Sequence, residues 1–475
     1  MDALLKIVQT VNGYLTDYVL IVLLVAVGLL FSFKTRFVQI RCFGEGMKKV
    51  FGNIKFRGGK QNGGMSSFQA LATAIAAQVG TGNIVGASGA ILVGGPGAIF
   101  WMWIIAFLGM ATIYGEAVLA QQTREIDADG QVHGGPVYYI KKAFTGTFGK
   151  ILASFFSIAI ILALGFMGAM VQSNSIAESI NNAVGIPGWI VGLVIAALSA
   201  FIFIGGVNRI ASVTEKMVPF MAVIFLIGGV VILGINFKEI PETIAMIFKY
   251  AFTPQALLGG GIGFAIKTAI SQGAKRGLFS NEAGMGSTPH AHAMANVAKP
   301  HDQGVVAMIG VFIDTFVVLT MTALVVISSV YCGDGALAGK LGADYVAATQ
   351  GETAIVAKTS IMQLAYTETL PDFFGSFGNI FVAVCLLFFA FSTIISWNLF
   401  GKLNVQALFK NNKVATIVYA VISIVFIFLG SILKNDLVWE LTDFFNYLMV
   451  IPNVIALFAL TKYVTEESKK AKEKK

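Results

Sequence analysis

The chain has 475 residues, of which 56% are hydrophobic and only 12% are charged. Soluble domains carry about 25% charged residues, so the composition excludes water as the solvent for most of the surface and predicts an integral membrane protein. The net charge of +8 does not indicate a nucleic-acid partner, because in a membrane protein the positions of Lys and Arg matter more than their sum. The cysteines offer neither a disulfide framework nor metal-ligand spacing: Cys42, Cys332 and Cys385.

Apolar stretches of membrane-spanning length recur along nearly the whole chain. A span needs about 20 apolar residues, and we predict eleven of them, numbered spans 1 to 11, at residues 15–33, 67–93, 97–120, 151–180, 188–206, 216–236, 257–290, 303–330, 378–400, 413–433 and 441–463. Span 1 is followed by Lys34, Arg36 and Arg41 instead of a small-residue cleavage site. It is therefore predicted to be a retained helix and not a signal peptide.

Lys and Arg alternate between the two sides of the predicted membrane. Of the 33 basic residues, 26 fall in segments that this topology places on one side, namely 34–65, 120–150, 206–216, 275–303, 401–413 and 462–475. The opposite side holds six, and Lys267 falls inside span 7. Because cytoplasmic loops are enriched in Lys and Arg, we predict an external N-terminus and a cytoplasmic tail, 466–475.

Spans 2 and 7 differ from the others because they are rich in Gly and small polar residues. Span 2 contains Gly80-Thr81-Gly82-Asn83, span 7 contains Ser280-Asn281, and Asn83-x-x-Gly86 aligns with Asn281-x-x-Gly284. Each span begins a block of five, and the charge count gives the two blocks opposite orientations. This pattern is typical of inverted-repeat secondary transporters, whose interrupted helices form the substrate site at the midplane. The alternative is that these glycines only allow close helix packing.

The predicted fold is therefore an all-α integral membrane protein with about eleven transmembrane helices, two of them broken. An N-terminal helix and a basic loop occupy 1–65, and five-helix repeats of opposite orientation occupy 66–240 and 241–465.

Span 9 carries two neighbouring hydroxyls, Ser392 and Thr393, in an apolar segment. Together with backbone carbonyls at a helix break, such oxygens can bind a small cation such as Na⁺. Both hydroxyls can equally donate to carbonyls one turn earlier in their own helix, which is common in membrane helices. The residues alone leave the two interpretations open.

Other polar residues within spans are candidate functional groups. Gln172 in span 4 could hydrogen-bond a zwitterion or join two helices. Acids inside spans are functional candidates by default, and they include Glu116, Glu178, Glu282 and Asp314. Asp314 is the most central, and it could lie near a cation, accept a proton or pair with Lys267.

Nothing in the sequence indicates covalent catalysis or ATP hydrolysis. His290 and His292 are two residues apart, which on a helix directs them to different faces and disfavours a metal site. The sequence has no phosphate-binding loop, Ser/His/Asp set or carboxylate pair. We therefore predict a protein that is not an enzyme, that needs no cofactor and that is driven by an ion gradient.

Three segments carry a family resemblance. They are Gly80 to Asn83 in span 2, Gly94-Gly95-Pro96-Gly97-Ala98-Ile99-Phe100-Trp101-Met102-Trp103 at the start of span 3, and Arg276-Gly277-Leu278-Phe279-Ser280-Asn281-Glu282-Ala283-Gly284 in span 7. On these segments the chain resembles the alanine or glycine:cation symporter family over essentially its whole length. The resemblance implies Na⁺- or H⁺-coupled uptake of small amino acids across a prokaryotic plasma membrane.

That family is similar in fold to the leucine-transporter superfamily, which supplies expected roles for individual residues. The resemblance implies that the amides at Thr81 and Gly82 bind the substrate carboxylate. It also implies one Na⁺ ligated by three carbonyls and two hydroxyls, those of Ala76, Val79, Phe389, Ser392 and Thr393. Span 4 departs from the superfamily pattern, since Gln172 or Phe166 stands where other members place a tyrosine.

The combined prediction is a symporter that couples inward Na⁺ movement to uptake of a small neutral amino acid, alanine or glycine, by alternating access. Its expected partners are the amino acid, Na⁺ and the lipid bilayer. Its predicted substrate contacts are Thr81, Gly82, Asn83, Phe166, Gln172, Phe279, Ser280, Asn281 and Trp397. The alternatives are proton coupling and an uncoupled channel or sensor on the same scaffold.

Overall fold

Long apolar helices make up most of the computed structural model, which describes residues 2–52, 64–128, 130–253, 262–349, 356–433 and 435–473. In chain order the helices are α1 (Ala3–Lys34), α2 (Val38–Arg41), α3 (Phe43–Phe51), α4 (Ser67–Gln78), α5 (Gly82–Gly94), α6 (Ala98–Thr123), α7 (Pro136–Ala143), α8 (Gly146–Val184), α9 (Gly188–Ile204), α10 (Gly206–Ile235), α11 (Ile240–Phe252), α12 (Ile262–Asn281), α13 (Pro289–Met294), α14 (Pro300–Tyr331), α15 (Gly342–Thr349), α16 (Ile361–Thr369), α17 (Asp372–Leu408), α18 (Lys413–Gly430), α19 (Asn435–Ala459) and α20 (Thr461–Glu473). Two short strands, β1 (Glu125–Ile126) and β2 (Val132–His133), pair antiparallel between α6 and α7.

These bounds confirm the predicted all-α membrane fold. Among the described residues, eight helices are long and apolar enough to cross a bilayer, and the pair α4 and α5, bent by 46° at a short break, adds a ninth. Helix α9 is shorter, and predicted span 7 is divided between α12 and α13. Residues 257–261 of that span and 53–63 of the basic loop lie outside the described residues. The total of eleven spans stays a prediction.

The interrupted helices are the most deeply buried part of the bundle. Every residue from 70 to 92, across α4 and α5, is buried, and so is every residue from 277 to 295, from the end of α12 through α13. By contrast, α10 exposes a row of large apolar side chains: Phe220, Val223, Ile227 and Val230. Burial of spans 2 and 7 is as predicted, and it is required because unwound backbone in hydrocarbon has no water to pair its N–H and C=O groups.

Small residues let the buried helices approach their neighbours. Helix α5 packs on α12, α4 on α10 and α17, and α6 on α12 and α14. A Cβ added to Gly94 would lie 3.1 Å from Gln272 Cβ in α12. Gly97, at the start of α6, lies directly against the backbone of Tyr250 and Ala251 in α11. The glycine-rich segment before α6 is therefore a packing element that joins three helices.

Helix α1 lies outside the two predicted repeats and packs along α6. A Cβ at Gly28 would be 2.7 Å from Leu108 Cβ, so the two helices touch closely. Polar contacts fix α1 to two further helices. Asp17 forms an ion pair with Lys267 of α12 at 2.7 Å, and Asn12 donates to the Glu440 carboxylate of α19 at 2.6 Å.

The structure corrects the count of basic residues in one place. Lys275 and Arg276, which the count assigned to the basic side although both fall within predicted span 7, lie within α12 and form ion pairs with Asp443 of α19 at 2.8 and 3.3 Å. Charges held inside the bundle carry no information about loop orientation. The 24 remaining basic residues assigned to that side still outnumber the six on the other, and the predicted orientation remains an expectation.

Substitution of Gly97 by Ala tests the packing of α6 on α11. The new methyl group would run into main-chain atoms of Tyr250 and Ala251, which cannot rotate away. Overpacking of this kind costs about 1–3 kcal/mol, so we expect a lower thermal unfolding midpoint for the purified protein in detergent. The control is Gly234→Ala in α10, where nothing lies within 4 Å of an added Cβ. Equal midpoints for the two variants would contradict the close contact.

Candidate functional site

The predicted break in span 2 is present between α4 and α5. Val79 leaves the helix with a ψ of 86°. The freed N–H of Gly80 donates to Asn83 Oδ1 at 3.0 Å, and the N–H of Thr81 donates to Gln172 Oε1 at 3.1 Å. Side-chain amide oxygens therefore replace the lost helical acceptors, as buried backbone donors require.

The two glycines of this break are positions of close approach between three helices. A Cβ at Gly80 would collide with Thr393 Oγ1 of α17 and lie 3.0 Å from Gln172 Oε1 of α8. A Cβ at Gly82 would lie 3.0 Å from Phe279 Cδ1 of α12. The sequence Gly80-Thr81-Gly82 is thus needed both to unwind the helix and to let its neighbours reach the unwound backbone.

The second break begins one residue after the predicted position. Ser280 and Asn281 are the last two residues of α12, and the chain then turns through Glu282, Gly284 and Gly286 with φ values of 58°, 90° and 80°. Left-handed φ angles suit glycine and are uncommon for other residues. The turn therefore falls on the glycines, while Ser280 and Asn281 stay helical and direct their side chains from the helix end.

Glu116 of α6 provides the acceptors that this second break needs. Its carboxylate accepts hydrogen bonds from the N–H groups of Gly284 and Gly286, at 3.0 and 3.1 Å, and from Asn453 Nδ2 at 2.6 Å. The sequence identified Glu116 as one of several acids within spans and did not connect it with the second break. Its role could have been predicted, because an unwound Gly-x-Gly turn in lipid requires a buried acceptor from another helix.

Asp314 of α14 joins the two interrupted helices. Its carboxylate accepts from Asn83 Nδ2 beside the first break at 2.6 Å and from Ser280 Oγ beside the second at 2.9 Å. Thr315 Oγ1 supplies a third hydrogen bond at 2.8 Å. Pairing with Lys267, one of the three predicted roles, is wrong, because the Lys267 ammonium pairs with α1 instead.

The hydroxyl pair of α17 faces the end of α4. Ser392 Oγ donates to the Phe389 carbonyl at 2.8 Å, so it bonds back within its own helix. Thr393 Oγ1 donates across to the Ala76 carbonyl at 2.8 Å and lies 3.1 Å from the Phe389 carbonyl. Each of the two hydroxyls therefore contacts both the Ala76 and the Phe389 carbonyl, which brings together four of the five predicted Na⁺ ligands. Val79 lies three residues beyond Ala76 at the break.

The structure does not bring Phe166 of α8 to the breaks. Its ring packs on Tyr419 and Phe426 of α18, with centroids 5.6 and 5.0 Å apart, and the side chain is half-buried. Gly168, two residues further along α8, is the position in contact with Trp397. Residues two apart on a helix point in different directions. Helix α8 therefore presents Gly168 to Trp397 and not the predicted Phe166 ring.

Aromatic side chains cover the space beside the first break. Phe279 meets Trp397 edge to face with centroids 5.8 Å apart, and on another side it lies 5.2 Å from Trp439. Trp397 is held in place by its indole N–H, which donates to the Glu282 carboxylate at 2.5 Å. The Arg276 guanidinium stacks 4.7 Å over Trp439. Trp439 was not predicted, because no local pattern connects α19 with the glycine-rich segments.

The buried histidines serve the packing of α13. His290 Nδ1 bonds to the Ser287 carbonyl at 2.7 Å and its Nε2 bonds to Asn404 at 2.8 Å. His292 Nδ1 bonds to Gln303 at 2.8 Å. The two rings therefore have separate partners on different helices.

Two helices interrupted at facing breaks, buried within a bundle of membrane-spanning helices, define a secondary transporter. The sequence then identifies the family. The chain belongs to the sodium:alanine symporter family, whose sequence profile matches residues 1–475. It is therefore a multi-pass membrane protein and an amino-acid symporter, and its family and fold are those of transporters and not of enzymes.

Comparison with individual proteins agrees with this assignment. The chain is 37% identical over 465 residues to the sodium/alanine symporter AgcS of Methanococcus maripaludis, covering 98% of this chain and 96% of that protein. It is 39% identical over 457 residues to the putative sodium/proton-dependent alanine carrier protein YrbD of Bacillus subtilis, covering 96% and 90%. The crystal structure of MhsT in complex with L-phenylalanine matches with a TM-score of 0.60 at 14% identity, over 86% of this chain and 93% of that one. This likeness confirms the leucine-transporter fold.

Substitution of Asp314 by Asn tests whether this carboxylate holds the two breaks together. The NH₂ group of Asn cannot accept, and it replaces one of the two carboxylate oxygens, so at least one of the donors Asn83, Ser280 and Thr315 loses its partner. Leaving a buried donor unpaired costs about 1–3 kcal/mol, and we expect a lower thermal unfolding midpoint. The control is Asp302→Asn on the same helix, whose partly exposed ion pair with Lys49 contributes little. If both variants melt alike, Asp314 does not have this role.

Proposed function

We propose that this protein couples the inward movement of Na⁺ to the uptake of a small neutral amino acid, alanine or glycine, by alternating access. The observation that carries the proposal is the juxtaposition of unwound backbone at Gly80 to Gly82 with the hydroxyl pair of α17. One segment thus offers N–H groups to an anion and carbonyl groups to a cation. The names of two relatives support alanine as the substrate, and both include sodium, the second together with the proton: a sodium/alanine symporter and a putative sodium/proton-dependent alanine carrier.

The substrate carboxylate is proposed to bind the amides of Thr81 and Gly82, where α5 begins. A helix N-terminus carries N–H groups without helical acceptors and a partial positive charge, which favour an anionic group. The Thr81 N–H donates to Gln172 Oε1 in this conformation, so the carboxylate would replace that amide oxygen. Two buried polar atoms at this place have no hydrogen-bond partner among the described residues, Thr81 Oγ1 and Gln172 Nε2. They are suitable groups to meet the polar ends of a zwitterion.

The side chain of the substrate is proposed to face Phe279 and Trp397. The Phe279 ring lies directly against Gly82 and edge-on to Trp397, so little room remains beside the break. A confined, largely apolar space favours a hydrogen or a methyl group over a longer side chain. Asn83 and Ser280, which donate to Asp314, and Asn281, which donates to Thr315, complete the proposed surroundings.

The coupling Na⁺ is proposed to bind among the oxygens of α4 and α17. The two hydroxyls of α17 each lie within hydrogen-bonding distance of two carbonyls. The hydroxyls are those of Ser392 and Thr393, and the carbonyls are those of Ala76 and Phe389. The Val79 carbonyl, released from the helix at the break, is the fifth ligand. Hard oxygen donors of this kind replace the hydration shell of a small cation.

Proton coupling is the second candidate, and Asp314 is the observation that favours it. Its carboxylate is fully buried, and the three groups that bond to it are neutral: Asn83, Ser280 and Thr315. An acid inside the membrane that touches both breaks could couple a proton to their movement.

Membrane orientation and repeat boundaries belong to the same proposal. The excess of Lys and Arg in one set of loops supports an external N-terminus and a cytoplasmic tail in a prokaryotic plasma membrane. The two interrupted segments, α4 with α5 and α12 with α13, support repeats at 66–240 and 241–465, each of which begins with a broken helix.

Transport by reconstituted vesicles is the direct test. With Na⁺ outside and none inside, we expect labelled alanine to accumulate above its external concentration. A sodium ionophore should abolish the accumulation and a protonophore should not, while unlabelled glycine should compete better than glutamine. Uptake without Na⁺ that collapses with the protonophore would establish proton coupling instead. Equilibration without accumulation would indicate a channel or a binding protein.

Removing the hydroxyls of α17 tests the Na⁺ site separately. We expect Ser392→Ala and Thr393→Ala each to raise the Na⁺ concentration for half-maximal uptake by about tenfold or more, since an interaction with a charged group contributes about 1.5–3 kcal/mol. Thr393→Ser keeps the hydroxyl and should stay near the wild type. Ser328→Ala is the matched control. Ser328 lies in α14 and not in α17, and its hydroxyl donates to the Val325 carbonyl of its own helix at 3.2 Å. An unchanged Na⁺ dependence in both alanine variants would refute the site.

A further inference from the structure

A cluster of Cys42, Glu45 and His301 lies apart from the breaks, where α3 meets the start of α14. One potential ligand atom from each residue lies within 4.8 Å of the other two. Cys42 and His301 are 2% and 3% exposed, and the Glu45 side chain is 20% exposed. The cluster is therefore almost enclosed, with one side chain at its edge.

Two helices hold these residues in fixed positions. Cys42 is the N-cap of α3, Glu45 lies in the first turn of that helix, and His301 lies in the first turn of α14. Helix α3 rests on α14 through Gly46, where an added Cβ would be 2.7 Å from Ile309 Cγ1. An edge-to-face contact between Phe43 and Phe312, with centroids 4.9 Å apart, supports the same packing.

The imidazole of His301 is oriented toward the other two residues. Tyr114 of α6 lies 2.8 Å from Nδ1. In the tautomer in which Nδ1–H donates to the Tyr114 hydroxyl, the lone pair of Nε2 points to the Glu45 carboxylate, 3.4 Å away. Nε2 is buried and faces that carboxylate. Metal-binding histidines ordinarily have such a hydrogen-bond partner on the other ring nitrogen, which fixes the tautomer.

We propose that Cys42, Glu45 and His301 bind one Zn²⁺ ion. Thiolate, imidazole and carboxylate are the three protein ligand types of zinc, which binds them tetrahedrally with bonds of about 2.0–2.3 Å. Ligand atoms around such an ion are separated by about 3.3–3.8 Å, and the nitrogen–oxygen pair already has this spacing at 3.4 Å. The thiolate and carboxylate charges balance the ion, and a fourth position stays open.

The ion would fasten α3 to the start of α14. Helix α14 also carries Asp314, which contacts both breaks. Tyr114 belongs to α6, so the cluster joins the segment after α1 to two helices of the bundle. The proposed role of the ion is to fix this segment against the transporter core, and it is independent of substrate and Na⁺ binding.

Cobalt substitution in the purified, detergent-solubilised full chain tests the proposal. We expect one Co²⁺ per chain, a thiolate-to-cobalt absorption band, and displacement of both by Zn²⁺. Cys42→Ser should abolish the band, and Tyr114→Phe should weaken binding by about 10–100-fold through loss of the orienting hydroxyl. Cys385→Ala, a buried thiol within α17, is the control that should leave the band intact.

Metal binding at another cluster, or no metal binding at all, would each give a different result. A band that survives Cys42→Ser, or one that disappears with Cys332→Ser, would place the metal at the second group of ligand-type residues, Glu239, Glu242 and Cys332, and overturn the proposal. No cobalt binding at all would show that His301 and Glu45 form only an ion pair. Alanine uptake by the Cys42→Ser protein, measured in parallel, verifies that the variant is folded.

Discussion

Backbone groups that lose their helical partners inside a membrane must find new ones, and this requirement organises the centre of the protein. At the first break, the amide oxygens of Asn83 and Gln172 accept the freed N–H groups. At the second, the carboxylate of Glu116 accepts two more. Asn83 belongs to the broken helix itself, whereas Gln172 and Glu116 come from helices that are far from the breaks in sequence. The positions of α6 and α8 around the broken pair follow from the hydrogen bonds that they supply.

The local sequence was sufficient to predict the features that depend on a single segment of the chain. The apolar spans, the break at Gly80 to Gly82 and the burial of spans 2 and 7 each follow from composition within about 20 residues. Roles set by helix rotation or by distant partners could not be read in this way. Phe166 turned to α18, Trp439 came from a helix without a recognisable motif, and Glu116 was one acid among several. The resemblance to a known family predicted a set of Na⁺ ligands that the residues alone left undecided, and four of these residues contact one another across α4 and α17.

The proposed ion and substrate sites share one short stretch of main chain. The carbonyls of Ala76 and Val79 lie on the α4 side of the break, and the amides of Thr81 and Gly82 lie on the α5 side. Gly80, between them, touches both Thr393 and Gln172. A change in backbone direction at this residue alters both sets of ligands together. Within the proposed mechanism, coupling then requires no pathway between distant sites, because each ligand acts on the conformation that the other one binds.

Helix α1 makes the bundle asymmetric. In a bundle made only of two inverted repeats, the conformations open to either side would be related by a two-fold rotation about an axis in the membrane plane. Helix α1 lies outside both proposed repeats, yet Asp17 and Asn12 bind it to α12 and α19. Within the proposed alternating-access mechanism, a motion of either helix relative to α1 changes contacts on one side of the bundle. The ion pair of Asp17 with Lys267 is then a source of unequal stability between the two open states.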